Sequence, residues 1–215
     1  MRLNGAVRRD PQTPVSEPDD RLAVDGKALQ AREQIYLMLN KPRGAITTAS
    51  DEKGRDTVYA FLPSNLPWLA PIGRLDKASE GLLLLTNDSE WAARIASPAT
   101  HLDKTYHVQI SAVADDKFVR SLIRGVNTND GETLRAKNAG YLRGGEKNCW
   151  LEIVLDEGRN RQIRRMMESL GVEVLRLVRV AIGPLQLGNL AKGQHRGLTV
   201  EEKRMLDRKM KEKSS

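Results

Sequence analysis

The stretch GRLDKASEGLLLLTND, residues 73–88, joins a charged turn to an uninterrupted apolar run. Four consecutive leucines, Leu82–Leu85, are typical of an apolar strand. The acid that precedes them, Asp76, lies between Arg74 and Lys77. A carboxylate at the entrance to a rigid strand is well placed for chemistry, but it can equally be an Asx-turn residue that joins two strands. The stretch alone leaves both interpretations open.

The composition indicates a polyanionic partner. The 215 residues include 35 Lys and Arg against 28 Asp and Glu, a net charge of +7. That balance favours nucleic acid first and a membrane surface second, although a soluble protein can simply be basic. One cysteine excludes a disulfide framework, and the three histidines lack metal-motif spacing, so no metal is expected. No apolar run approaches the ~20 residues of a membrane helix and no signal peptide is recognisable, which predicts a cytoplasmic protein.

The chain divides into a head, a body and a tail. Residues 1–31 contain the hairpin dipeptides Asn4-Gly5 and Asp25-Gly26, which predict a small β element. Residues 32–198 mix strands and helices without steady βαβα alternation, which favours an α+β domain on a largely antiparallel sheet flanked by helices. Residues 199–215 begin with a capping box and are then mostly charged, which predicts a surface helix that frays.

The segment NRQIRRMMESL, residues 160–170, is the clearest helix in the sequence, with Asn160 as the predicted N-cap and Gly171 as its C-terminal stop. Its apolar stripe faces the core, and its basic residues border that stripe. Such guanidinium groups form either a rigid phosphate-binding edge or a solvated basic face. The four arginines concerned are Arg159, Arg161, Arg164 and Arg165.

Four motifs together resemble the pseudouridine synthases, in the RsuA-type branch that modifies ribosomal RNA. They are LNKPRG (residues 39–44), GRLDKASEGLLLLTND (73–88), KTYHVQI (104–110) and EGRNRQIRRM (157–166). The resemblance extends over residues 35–198. It implies the α+β pseudouridine synthase fold and the isomerisation of a uridine to pseudouridine in ribosomal RNA. It also implies that neither a cofactor nor a metal is needed, because the uracil is detached, turned and rejoined without redox change.

The resemblance also assigns roles to individual residues. Asp76 matches the catalytic aspartate, either as a nucleophile at the sugar or as the base that removes a sugar proton to give a glycal. Tyr106 matches the tyrosine that packs on the target base and is a candidate general base. Arg164 matches the basic residue that pairs with the aspartate and keeps it ionised. The predicted RNA contacts are Arg74, Lys104, Arg159, Arg161 and Arg165.

The head departs from the family pattern. Residues 1–31 resemble only the second half of an S4 RNA-binding domain, the half with the short strands. We expect a monomer whose partner is ribosomal RNA or a ribosome assembly intermediate. The alternative function is a non-catalytic RNA-binding or assembly protein on the same fold. The sequence leaves open which ribosomal RNA and which uridine would be modified.

Overall fold

The computed structural model describes residues 1–10, 12–16, 20–28, 33–49, 54–100 and 102–212. The chain forms two compact units, Met1–Gln34 and Ile35–Ser215. The predicted boundary between residues 31 and 32 lies outside the described residues. The C-terminal helix belongs to the second unit rather than forming a separate tail.

The first unit is a four-stranded antiparallel sheet of β1 (Arg2–Leu3), β2 (Ala6–Val7), β3 (Leu22–Val24) and β4 (Lys27–Ala28). The described strands lie in the order β2-β1-β3-β4. Asn4-Gly5 connects β1 to β2, Asp25-Gly26 connects β3 to β4, and all four residues have positive φ. This is the geometry that type I′ hairpin turns require, so the dipeptides form the turns that the sequence predicts.

The second unit is built on one large mixed sheet, which confirms the predicted α+β class. Its strands are β5 (Tyr36–Lys41), β6 (Ala70–Pro71), β7 (Glu80–Thr86), β8 (Lys104–Ile110), β11 (Asn138–Gly144), β12 (Cys149–Leu155), β13 (Val174–Ile182), β14 (Leu185–Gln186) and β15 (His195–Gly197), with a separate hairpin of β9 (Val126–Asn127) and β10 (Thr133–Leu134). The main path of the sheet is β11-β12-β8-β13-β7-β5-β15, with β6 beside β7 and β14 beside β13. Strands β13 and β7 pair in parallel, and the other pairs of this sheet in the described residues are antiparallel.

In the described part of the chain, four α-helices pack around this sheet, and their caps explain where three of them begin. Asp88, Asp115 and Thr199 each accept a hydrogen bond from a first-turn backbone N–H, which satisfies a donor that the helix itself cannot. The helices are α1 (Ser89–Ala96), α2 (Asp116–Arg124), α3 (Gln162–Ser169) and α4 (Val200–Lys211), with short 3-10 turns at Val58–Phe61 and Pro98–Thr100. None of the helices in the described part of the chain is long and apolar enough to span a membrane.

The central strand β7 is buried along its whole length. Leu82 and Leu84 pack with α1 and α4, whereas Leu83 and Leu85 pack into a second cluster on the opposite face. The strand therefore has core on both sides, which accounts for its uninterrupted run of leucines. A third cluster joins α2 and α3 to β8, β12 and β13.

The C-terminal helix α4 makes buried contacts that its charged sequence does not predict. Leu206 and Met210 of α4 are buried in the cluster behind β7. The indole Nε1 of Trp91 donates to Asp207 at 2.8 Å. One face of α4 is therefore part of the core, because its few apolar residues fall at helical spacing and cover α1.

Candidate active site

A cleft of about 590 Å³ opens at the end of the sheet where β7 begins and α3 starts. All three predicted catalytic residues line it: Asp76, Tyr106 and Arg164. Four of the five predicted RNA contacts line it as well: Arg74, Lys104, Arg159 and Arg161. The fold thus brings together seven residues from three separate motifs of the sequence.

Asp76 lies on a tight turn that is held by a buried lysine. The backbone N–H of Ser79 donates to the carbonyl oxygen of Asp76 at 2.9 Å, which closes the turn. The Nζ of Lys41 is fully buried and donates to the carbonyl oxygens of Asp76 (3.1 Å) and Ser79 (2.8 Å). Thr47 Oγ1 donates to the carbonyl oxygen of Leu75 at 2.9 Å. The backbone around the carboxylate is therefore fixed from two sides, as a preorganised catalytic group requires.

Arg164 also holds this turn, but not through the carboxylate. Its Nη2 donates to the carbonyl oxygen of Ala78 at 3.0 Å, and its Nη1 lies 3.4 Å from the carbonyl oxygen of Val174. The carboxylate Oδ2 of Asp76 lies 3.8 Å from the Nη1 of Arg161, its ion-pair partner among the described residues. The carboxylate of Asp76 is thus paired with Arg161 in place of the predicted Arg164, and the guanidinium of Arg164 is instead bound to the Ala78 carbonyl oxygen of the same turn.

Burial lowers the pKa of the Arg164 guanidinium, and repulsion from Arg161 adds to this effect while Asp76 opposes it. Arginine nevertheless stays charged in proteins. Burial also lowers the pKa of Lys41 to about 8, against the attraction of Asp76 and Glu80. The turn of Asp76 is thus contacted by three cationic side chains, Arg161 at the carboxylate and Lys41 and Arg164 at backbone carbonyl oxygens.

Arg161 has an unusual backbone for a residue with a long side chain. It is the N-cap of α3 with φ 49° and ψ 29°, a left-handed conformation, and its side chain makes no capping hydrogen bond. The prediction that Asn160 caps the helix is therefore wrong, since the helix starts one residue later after this left-handed turn. Non-glycine residues in this region cluster at functional sites.

A buried amide supports this turn. Gln162 is 2% exposed, and its Nε2 donates to Glu157 Oε1 (2.9 Å) and to the carbonyl oxygen of Arg135 (3.0 Å). Its Oε1 accepts from the backbone N–H of Arg159 at 3.3 Å. The side chain thus connects the loop before α3 to the body of the unit and positions Arg161.

Arg165 lies outside the cleft. Its Nη2 contacts Asp130 at 2.6 Å and Glu132 at 2.5 Å, both in the β9–β10 hairpin. Hydrogen bonds to these two acids raise the pKa of Arg165. The hydrogen bond that Arg165 donates to Asp130 in turn lowers the pKa of Asp130 to about 2. Arg159 lines the cleft but is also paired, with Glu157 at 3.0 Å. Two of the four arginines considered for a phosphate-binding edge, Arg159 and Arg165, are thus paired with acids that helical spacing alone does not reveal.

Tyr106 lies in β8, between β12 and β13. Its cross-strand neighbours are Ile153 on one side and Arg179 on the other. The half-buried ring packs against two apolar clusters and faces the cleft. A flat apolar surface next to the carboxylate is suited to stack a nucleobase.

The sequence-based prediction missed three residues of the site: Lys41, Gln162 and Arg179. Lys41 ends a strand pattern in the sequence, and a lysine at such a position is expected to be exposed, whereas its side chain is buried. Arg179 lies within the apolar run LRLVRVAI, residues 175–182, where a charged residue in an inward-facing register is itself a signal. Gln162 has no comparable signal in the sequence.

The motif order, the cleft and its contents define an RNA-modifying enzyme of the pseudouridine synthase class. Residues 35–169 match the family described as RNA pseudouridylate synthase. The chain belongs to this family.

Relatives along almost the whole chain agree with this assignment. The chain is 37% identical to the ribosomal large subunit pseudouridine synthase B of Bacillus subtilis over 96% of its own length and 84% of the relative. It is 36% identical to an uncharacterised RNA pseudouridine synthase of Aquifex aeolicus, over 94% of the chain and 81% of that protein. A crystal structure of a pseudouridylate synthase superimposes with a TM-score of 0.72 at 31% identity, covering 95% of this chain and 87% of the other.

Proposed function

We propose that this protein converts a specific uridine of ribosomal RNA to pseudouridine, and that Asp76 is its catalytic carboxylate. The observation that carries the proposal is the cleft in which Asp76, Tyr106 and Arg161 meet. The name of the Bacillus subtilis relative favours the large-subunit RNA as substrate. A non-catalytic RNA-binding role has less support, since such a protein has no need for a rigidly held carboxylate.

The reaction breaks the N1–C1′ bond of uridine, turns the uracil within the cleft and rejoins it to C1′ through C5. Asp76 acts at the sugar, either by attacking C1′ or by removing the proton on C2′. Both routes use the carboxylate form of Asp76. The guanidinium of Arg161 forms an ion pair with this carboxylate, and Lys41 and Arg164 hold the turn that positions it.

The target nucleotide must leave its stack to reach Asp76. Tyr106 offers the face on which the flipped base packs. Arg74, Lys104 and Arg159 line the same cleft and supply positive charge for the phosphates around it. Such contacts fix the RNA without reading its sequence, so specificity for one uridine must involve the shape of the RNA as well.

The first unit, residues Met1–Gln34, is in this proposal a partial S4-like element that adds RNA affinity. The protein acts as a monomer in the cytoplasm, where ribosomal RNA and its assembly intermediates are available. Residues of the second unit carry out the chemistry, since the cleft and all residues assigned to it belong to that unit.

Mapping of pseudouridine in ribosomal RNA tests the function directly. RNA from cells with the gene, without it, and without it but carrying the Asp76→Ala gene is compared at single-nucleotide resolution. We expect one or a few large-subunit positions to lose the modification in the deletion and not to regain it with Asp76→Ala. Unchanged modification of both ribosomal RNAs in the deletion strain would contradict the proposal.

A further inference from the structure

Arg179 carries a buried cationic donor that is unpaired within the described residues. The residue is 6% exposed, and its Nε donates to the carbonyl oxygen of Leu82 at 2.7 Å. Its Nη2 is buried and has no hydrogen-bond partner among the described residues. Buried donors are nearly always paired, so an unpaired donor on a guanidinium requires an explanation.

Arg179, the residue that carries this donor, lies at the proposed reaction site. Arg179 lines the same cleft as Asp76 and Tyr106. In the sheet it lies between Tyr106 on β8 and Gly81 on β7, opposite both in register. A Cβ at position 81 would overlap the backbone carbonyl of Arg179, so only glycine lets β13 approach the start of β7 this closely. The fold thus holds Arg179 beside the aromatic ring and close to the turn of the carboxylate.

The guanidinium of Arg179 also has no acidic partner: among the described residues, no carboxylate lies within 4 Å of it, whereas Arg176 on the same strand is paired with Glu80 at 3.1 Å. Lys104, a second cation of the cleft, has its pKa lowered by burial and by repulsion from Arg179, against the attraction of Asp103 and Asp156. The unpaired Nη2 of Arg179 therefore favours an acceptor that is rich in oxygen and able to carry negative charge.

We propose that the Nη2 of Arg179 donates a hydrogen bond to a carbonyl oxygen of the target uracil and stabilises the charge that the base acquires when it leaves the sugar. This inference rests on the proposed function and names the residue that binds the detached base. When the N1–C1′ bond breaks, its electron pair stays on the uracil and spreads over N1, O2, O4 and C5. C5 then bonds to C1′, which breaks the Asp76–C1′ bond on the nucleophilic route or is accompanied by return of the C2′ proton from Asp76 on the glycal route. The C5 proton is lost while N1 gains one, so no oxidant or further reactant is consumed.

Arg179 stays protonated throughout and acts as a fixed donor. A donor already oriented toward developing negative charge is effective because nothing has to reorganise during the reaction. The same hydrogen bond would also retain the uracil while it turns, which prevents its loss to solvent. A phosphate oxygen is the other acceptor that this chemistry allows, and the experiment below separates the two.

The experiment is a single-turnover assay on a synthetic RNA that contains the mapped uridine. Three versions carry uridine, 2-thiouridine or 4-thiouridine at the target, since sulfur accepts hydrogen bonds more weakly than oxygen. Wild type is compared with Arg179→Met, with Arg179→Lys and with the matched control Arg176→Met. RNA affinity and the thermal midpoint are measured for each protein.

Removal of one such donor is expected to slow the uridine reaction by about 10²-fold at saturating RNA, with the dissociation constant for RNA changed by less than about threefold. One of the two thio substitutions should slow wild type and Arg176→Met but have little further effect on Arg179→Met. If Arg179→Met does not fold, Arg179→Lys provides the comparison, because one ammonium group cannot replace both the Nε that binds the Leu82 carbonyl and the Nη2. Each protein is compared with itself on the three RNAs.

Equal thio effects in wild type and in the Arg179 variants would overturn the inference, as would full activity of Arg179→Met at saturating RNA. A loss of RNA affinity and of salt dependence, without a change in the saturating rate, would assign Arg179 to a phosphate and reject the carbonyl contact. Failure of wild type to form pseudouridine on the unmodified RNA would instead reject the proposed function, and the role of Arg179 with it.

Discussion

Arg161 Nη1 lies 3.8 Å from the Asp76 carboxylate, whereas Arg164 donates to the carbonyl oxygen of Ala78 on the same turn. The two arginines of one motif therefore have different tasks. One forms an ion pair with the carboxylate, and the other fixes the backbone that presents it.

This division predicts different defects for two alanine variants. Arg161→Ala should reduce the single-turnover rate while changing the free energy of unfolding by less than about 1 kcal/mol, because the ion pair is partly exposed. Arg164→Ala should reduce the free energy of unfolding by about 2–3 kcal/mol, because a charged donor leaves the Ala78 carbonyl unpaired. Urea unfolding and single-turnover rates measure the two effects. A larger loss of stability in Arg161→Ala than in Arg164→Ala would contradict the assignment.

RNA binding should distinguish Arg161 from Arg165. Arg161 is exposed in the cleft, whereas Arg165 is already bound to Asp130 and Glu132. If Arg161 contacts a phosphate, Arg161→Ala should flatten the log–log salt slope of RNA affinity by roughly 0.7, the contribution of one contact on a single strand. Arg165→Ala is the matched control and should leave the slope unchanged. An equal change in both variants would show that Arg165 leaves its acids to bind RNA.

Lys41 should give the protein a characteristic stability profile at alkaline pH. The pKa of this lysine is about 8 in the folded protein, against a reference value of 10.5. Between these values the unfolded chain binds more protons, so the contribution of Lys41 to stability rises with pH in this window. Lys41→Met should be less stable than wild type at pH 7, since it leaves the carbonyl oxygens of Asp76 and Ser79 without their donor.

The measurement for Lys41 is urea unfolding of both proteins from pH 7 to 10.5. The stability difference between wild type and Lys41→Met should grow with pH over this range. Lys41→Arg keeps a charge but not the alkaline titration, so it is the control for the pH effect. A difference that is constant with pH would show that the lysine titrates as it does in the unfolded chain.

The sequence predicts the strands and the hairpin turns well, because both follow from local patterns. The leucines of β7 are apolar on both faces, and Asn4-Gly5 and Asp25-Gly26 demand positive φ. The predicted residues of the cleft are brought together because each lies in a motif shared with the family. Arg165 is the exception that does not line the cleft.

The errors arise where distant parts of the chain meet. The sequence does not reveal that the β9–β10 hairpin brings Asp130 and Glu132 to Arg165, or that the Ala78 carbonyl lies within reach of Arg164. A left-handed residue at position 161 is also unexpected, because nothing in an arginine side chain favours it. Such details depend on tertiary contacts rather than on propensity.

The most direct test of the account replaces the proposed catalytic carboxylate and a second acid of the same cleft. Asp76→Ala and Asp156→Ala are compared with wild type in a single-turnover assay on RNA containing the mapped uridine, with RNA affinity measured in parallel. Asp76→Ala should lower the rate by at least about 10⁴-fold and alter RNA affinity by less than about threefold, whereas Asp156→Ala should retain most of its activity. Pseudouridine formation by correctly folded Asp76→Ala at a rate close to that of wild type would contradict the account.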